Sequence, residues 1–418
     1  MQSRTTNLTL WLIATALLFP LFIQFSGGIF NSEVFIIDSK GILSTLPLPI
    51  SIIACLFGIF VFSRNYRQAT QAIVFISALV AAILLSVMFS GESHGVDMRK
   101  AILAAQFLLP TMGLFFGQLV HDEDNIVPRA FMWVLLLLVP FQLLAGWSQH
   151  TLTLTHYLYV FSIYQHFQFV PVIFVMAFCL VMLHLWVHYK VLLRILTFIM
   201  GVYVISSASF LAIGAYCCFV LEFFLRRILG LQAKRMAGLV AFGAGIAVAV
   251  AVVGVYIVVA KNSTAVVDNN GQYTGKFGAL AEGKLPINVV QRLSDWKLYG
   301  DWIVESKRTL VFGHIAPPPR EVKTSAHNWY LDFAYNFGLI ALLPILSLII
   351  FTSWQIWRFR KYLPEQTLWL AGLVAFLVLI DSNFKVTLRQ PYPGIFAFFL
   401  WGLLLSRLRP GLAIKAGS

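Results

Sequence analysis

The stretch Trp329–Phe351, WYLDFAYNFGLIALLPILSLIIF, decides the fold class. A helix that crosses the hydrocarbon core of a bilayer needs about 20 mostly apolar residues, and this run supplies them. Working outward, comparable runs centre near residues 17, 54, 80, 110, 138, 177, 199, 215, 249, 373 and 400. The pattern predicts an all-α integral membrane protein with about twelve transmembrane helices. The runs near 199 and 215 meet at Ser206-Ser207-Ala208-Ser209, read either as a tight hairpin or as a polar stretch in a buried span. Gly214, Gly243 and Gly245 suggest close helix contacts.

Composition agrees. Of 418 residues, 59% are hydrophobic and 11% charged, and mean hydropathy is +0.83. A soluble chain carries roughly 25% charged residues, so water cannot be the main solvent of this surface. The formal charge of +13 admits nucleic acid, an anionic membrane surface or an anionic substrate as partner; location decides among them. In a twelve-span arrangement Arg4, Arg64, Arg129, Arg194, Arg226 and Arg358, with other basic residues, collect on one face. The positive-inside rule makes that face cytoplasmic and places both termini there. Cys55, Cys179, Cys217 and Cys218 lie within apolar runs, without the loop spacing of a disulfide framework or zinc site. The run Leu8–Phe25 is too long for a signal-peptide core and reads as a retained first span.

Residues 1–260 then hold spans one to nine, 261–328 form a large outer loop, and 329–418 hold spans ten to twelve and a cytoplasmic tail. The loop is polar and contains nine basic residues between Lys261 and Lys323. Loops of this length usually have a function. Asn288, with Gln291 as reciprocal partner, is expected to cap a helix whose apolar face carries Val289, Leu293, Trp296 and Ile303. Arg292, Trp296 and Tyr299 share one flank. The helix is expected to end near Ser306-Lys307-Arg308, followed by Gly313-His314 and the stiff Pro317-Pro318-Pro319-Arg320. The alternative for this helix is an amphipathic element lying on the membrane surface.

Ser325 is the expected cap of the helix that opens at Trp329, which puts His327 and Asn328 in its first turn. The positive helix end favours anions and disfavours imidazolium. A neutral His327 beside an anion site suits a general base; the alternative is a hydrogen-bonded interfacial histidine without chemistry. His314, after glycine in a loop, reads as solvated. Arg99 and Lys100 open the fourth span, and Lys385 and Arg389 lie in the last outer loop. Singly, such cations snorkel to headgroups; converging, they suit a diphosphate. No G-x-x-x-x-G-K-[ST] loop is present, nor a D-x-D or paired-carboxylate motif on the outer loops.

Arg292-x3-Trp296, Gly313-His314, Ser325-Ala326-His327-Asn328 and Gly338-Leu339-Ile340, in that order around the last long loop, resemble the bacterial O-antigen ligase and polymerase superfamily. The resemblance covers the topology loosely; its specific part runs from about Arg292 to Ile340. It implies a fold similar to membrane glycosyltransferases of the GT-C type. It further implies transfer of O-antigen from undecaprenyl pyrophosphate to lipid A–core at the periplasmic face of the inner membrane, with no metal or cofactor. The family histidine falls on His327 and the loop-helix arginine on Arg292. Arg389, Arg99 and Lys100 are expected to bind pyrophosphate, and Asn328, Tyr330, Trp296 and His314 to contact substrate. One departure is evident: where many members carry an arginine after a serine, this chain has Ser207-Ala208-Ser209-Phe210. The expected partners are the glycan donor, the lipid A–core acceptor and membrane lipids; nucleic acid is not among them, and the chain is expected to be monomeric. The rival readings are an O-antigen polymerase, a protein O-oligosaccharyltransferase, a lipid or polysaccharide flippase, and a membrane scaffold.

Overall fold

The computed structural model describes residues 4–23, 48–91, 98–122, 124–148, 158–160, 163–165, 169–207, 209–228, 287–318 and 325–408. Among these, helices run α1 (Arg4–Leu18), α2 (Ile50–Val61), α3 (Thr70–Ser90), α4 (Met98–Leu108), α5 (Met112–Leu119) and α6 (Ile126–Ser148). Then follow α7 (Val170–Leu185), α8 (Lys190–Ser207) and α9 (Phe210–Ile228). The C-terminal part holds α10 (Ile287–Ile303), α11 (Lys307–Phe312), α12 (Trp329–Phe359), α13 (Glu365–Ala375), α14 (Ser382–Phe384) and α15 (Pro391–Arg407). Among the described residues, strands form two short antiparallel ladders: β1 (Phe22–Ile23) with β2 (Leu48–Pro49), and β3 (Leu158–Val160) with β4 (Ile163–Gln165).

Six helical stretches among the described residues are long and apolar enough to cross a membrane: Ser63–Ser90, Lys100–Leu119, Ile126–Ala145, Lys190–Ser207, Trp329–Phe359 and Glu365–Phe384. Four shorter apolar helices accompany them. The chain is thus a helical protein built for a bilayer. The expected ninth span, near 249, lies outside the described residues, as do Gly243 and Gly245. The runs near 199 and 215 are separate helices that meet around Ser207–Ser209, the hairpin of the two sequence readings. Among the described residues, a Cβ at Gly214 would meet nothing within 4 Å, so the close contact expected there is not made with them.

Contacts divide the chain into two compact units. The first joins Met1–Phe131 to Ser294–Ser418. Its centre is α15, apolar on every side and buried from Tyr392 to Ser406, as expected of a helix surrounded by others. Helix α5 lies along it at backbone distance. A Cβ at Gly113 would fall 2.2 Å from the Ile395 carbonyl oxygen, one at Gly117 2.3 Å from that of Phe399, and one at Gly402 2.3 Å from that of Leu114. Small residues four apart allow such an approach, and dispersion along the seam rewards it. Phe116 stacks on Phe399 beside them.

The second unit spans Met132–Leu293. Helix α7 is its buried element, packed by α8 and α9. Tyr216 of α9 donates to the Thr197 carbonyl of α8 at 2.5 Å and sets its ring against Phe178 of α7. His184 is bonded through Nδ1 to the Leu180 carbonyl at 2.9 Å, a satisfied helix histidine.

Candidate active site

One cluster of polar groups in the first unit lies at the Trp329 end of α12. Asn328 is the cap: its Oδ1 accepts from the backbone N–H of Tyr330 at 2.9 Å and of Leu331 at 3.2 Å. This corrects the expectation that Ser325 caps the helix and that His327 lies in its first turn. The Ser325 hydroxyl instead donates to Asp332 Oδ2 at 2.7 Å and accepts from the His327 N–H at 3.0 Å. His327 therefore stands just ahead of the helix, in a left-handed backbone conformation (φ 52°). For a residue with a side chain this costs on the order of 1 kcal/mol, and the Ser325 hydrogen bond helps hold it.

Asp332 organises the loop end. Besides Ser325, its carboxylate accepts from the Ala326 N–H at 2.7 Å and from Arg389 Nη1 at 3.2 Å. The carboxylate is buried and the guanidinium nearly so. Arg389 also lies over the Phe107 ring, 5.9 Å from its centroid, an arrangement that favours a desolvated cation. Arg389 and His327 are thereby tied to one scaffold, because Arg389 bonds Asp332 itself and the His327 N–H bonds the serine that Asp332 holds.

From α10 comes Asp295, whose Oδ2 is 4.0 Å from His327 Nδ1. The imidazole is 39% exposed and the carboxylate side chain 12%, so the histidine is the reachable member of the pair. Trp296, next in sequence and half-buried, sets its ring against Phe384 at 5.9 Å. Tyr299, one turn on, is buried against Tyr335, and burial pushes its hydroxyl well above the ordinary tyrosine range. Arg292 lies one turn before Asp295 on α10, half-buried. That helix begins at Ile287, one residue before the expected cap at Asn288. It ends at Ile303, and Ser306 caps α11 through a reciprocal pair with Thr309.

Around the last connection, Asn328 Nδ2 donates to Asn383 Oδ1 at 3.1 Å, and the Tyr330 hydroxyl donates to the Val378 carbonyl at 2.8 Å. Lys385 forms a buried ion pair with Asp381 at 3.0 Å, and Thr387 donates to the same carboxylate. Lys385 is thus paired within the fold, as Arg389 is with Asp332, and of the two cations Arg389 is the less buried.

A second grouping lies two turns further along α12. Gly338 breaks the helix with φ 72°, and a Cβ there would fall 2.1 Å from the Val311 carbonyl oxygen. Gly313 has φ 76°, and a Cβ there would fall 2.6 Å from Asn336 backbone atoms. The two sequence motifs Gly313-His314 and Gly338-Leu339-Ile340 therefore pack against each other, backbone to backbone, which only glycine permits. His314 is not a solvated loop residue. Its ring stacks on Tyr335 at 4.1 Å, its Nε2 bonds the Trp302 carbonyl at 3.1 Å, and its N–H donates to the Tyr335 carbonyl. Burial lowers its pKa below the ordinary histidine value, against the raising effect of the Trp302 bond. Lys100 is buried here, donating to Ser90 Oγ at 2.7 Å and to the His314 carbonyl at 2.8 Å.

The structure thus brings together His327, Asn328, Tyr330, Trp296 and Arg389 of the expected site. It places Lys100 and His314 in the second grouping, as struts. Arg99 lies on α4, its side chain outside the described residues. Sequence reasoning passed over Asp332, Asp295 and Asn383. For Asp332 a signal existed: it is the one carboxylate of α12, and an acid in an apolar span is a site candidate by default. For Asp295 and Asn383 none did, because their partners lie far off in sequence. No family model matches the chain, and no curated protein matches it.

Proposed function

We propose that this chain is an O-antigen ligase of the bacterial inner membrane, with about twelve spans and a GT-C-like arrangement. It transfers O-antigen polysaccharide from undecaprenyl pyrophosphate to a sugar hydroxyl of lipid A–core on the periplasmic face. The observation that carries the reading is the joint placement of an accessible imidazole and an anchored guanidinium at one end of α12, where the family resemblance places a base and a diphosphate.

In this reading the acceptor hydroxyl loses its proton to His327 as its oxygen attacks the donor's anomeric carbon. The bond from that carbon to the phosphate oxygen breaks, and the electron pair leaves with undecaprenyl pyrophosphate. Arg389 meets the negative charge that develops there, and the resemblance gives Arg292 the same role. Donors so placed contribute roughly a hundredfold or more in rate each. Lys100, already bonded to Ser90 and His314, supports the scaffold rather than the diphosphate. In this reading the role of the family arginine missing at Ser207-Ala208-Ser209-Phe210 passes to Arg389. Trp296 and Tyr330 offer ring faces to sugars, and their packing fixes those rings.

The test is transfer by the purified full chain in proteoliposomes, supplied with undecaprenyl-pyrophosphate-linked glycan and lipid A–core, in the presence of a chelator. Glycan on lipid A–core supports the reading. Longer prenyl-linked glycan makes the chain a polymerase, and lipid movement between leaflets without transfer makes it a flippase.

A further inference from the structure

The geometry points to Asp295 as the positioning residue of the base: its carboxylate orients His327 and stabilises the imidazolium that forms during transfer. This rests on the proposed function above and names a residue that the resemblance does not supply.

Three observations meet. Asp295 Oδ2 and His327 Nδ1 are 4.0 Å apart, with the carboxylate the more buried partner. The backbone of His327 is held in a left-handed conformation by a serine that Asp332 itself fixes, so the ring is delivered to Asp295 by structure on two sides. Asp295 lies on α10, which the buried Tyr299 locks against Tyr335 of α12, with ring centroids 5.3 Å apart. The carboxylate is therefore rigidly mounted. The separation exceeds hydrogen-bond length, and catalytic hydrogen bonds commonly tighten only when substrate binds.

The chemistry follows from that order. With Nδ1–H donated to Asp295, Nε2 carries the lone pair. As the acceptor oxygen bonds to the anomeric carbon, its proton passes to Nε2, and the pyrophosphate departs with the electrons of the broken bond. The imidazolium is then flanked by a carboxylate that neither gains nor loses a proton. An orienting carboxylate behind a histidine base is a recurring arrangement in acyl transfer; here it would serve glycosyl transfer.

The experiment is a mutant cycle in the proteoliposome assay, with thermal unfolding in detergent confirming the fold of each variant. Asp295→Asn is expected to lower kcat about 100-fold with KM for donor and acceptor unchanged, and Asp295→Glu to recover most of it. In a His327→Ala background, Asp295→Asn is expected to lower residual transfer no further, because groups acting as one unit are non-additive. An equal loss in both backgrounds, a raised KM with kcat kept, or wild-type transfer by Asp295→Asn overturns the inference. Should the asparagine variant unfold, Asp295→Ser serves the same cycle. Failure of the wild-type chain to transfer, or full activity of His327→Ala, instead overturns the ligase reading on which the inference stands.

Discussion

The seam between α5 and α15 and the Trp329 end of α12 solve the same packing problem by opposite means. In the seam, backbones touch because Gly113, Gly117 and Gly402 have nothing between them and the partner helix. Its specificity is one of size. At the α12 end, backbones are held apart and linked by directional bonds centred on Asp332, so specificity is one of charge and geometry. The contrast teaches where function can reside. A glycine seam offers a reagent no group to touch, whereas the polar end carries a part-exposed imidazole and a guanidinium fixed on the same Asp332 scaffold.

Three substitutions break or sharpen that contrast. The largest effect is expected from Asp332→Ala. It leaves Arg389 without its carboxylate and releases the Ser325–Ala326 loop end. Removing one partner of a buried pair costs about 3 kcal/mol or more, and His327 and Arg389, the proposed base and cation, lose their common support. Transfer should fall below detection even in the fraction that remains folded, which size exclusion and thermal unfolding in detergent would identify. Next is Gly117→Leu. The side chain must enter a space where a Cβ alone would sit 2.3 Å from the Phe399 carbonyl oxygen. Overpacking of this kind costs about 1–3 kcal/mol. Thermal unfolding should show it, while the kcat of the folded fraction stays near wild type. Should the seam variant lose kcat and keep stability, the division of labour between the two regions would be wrong.

The smallest expected effect concerns His314. Its folded pKa lies below the ordinary value of 6.5, so the unfolded chain binds its proton first. The group therefore contributes stability above about pH 6.5, and that contribution is lost as pH falls from there through the lower folded value. Unfolding measured between pH 7 and pH 5 should show a decline that His314→Gln reduces.

The helices were largely legible in the sequence, because apolar length is a local property and a bilayer imposes it. The site was legible only in part, and particular residues show why. Serine and asparagine both cap helices well, so local preference could not choose between Ser325 and Asn328. The choice is made by Asp332, which draws the serine hydroxyl away. The burial of Lys100 was equally hidden, since its partners Ser90 and the His314 carbonyl come from separate elements. Gly214 looked like a contact and makes none with the described residues, whereas Gly113 and Gly117 make theirs with α15, far along the chain. His327 and Arg389 could be nominated from their places at the ends of spans. That Asp332 supports both, and that Asp295 lies beside the imidazole, depends on helices brought together from distant sequence.

The central claim is that His327 is the base of a glycosyl transfer to lipid A–core. It is tested most directly by single-turnover transfer with His327→Ala in proteoliposomes, using undecaprenyl-pyrophosphate-linked glycan and lipid A–core at saturating concentrations. The account predicts wild-type unfolding temperature, unchanged binding of both lipids, and a transfer rate at least about 100-fold lower. Transfer at the wild-type rate by a folded His327→Ala protein would contradict it.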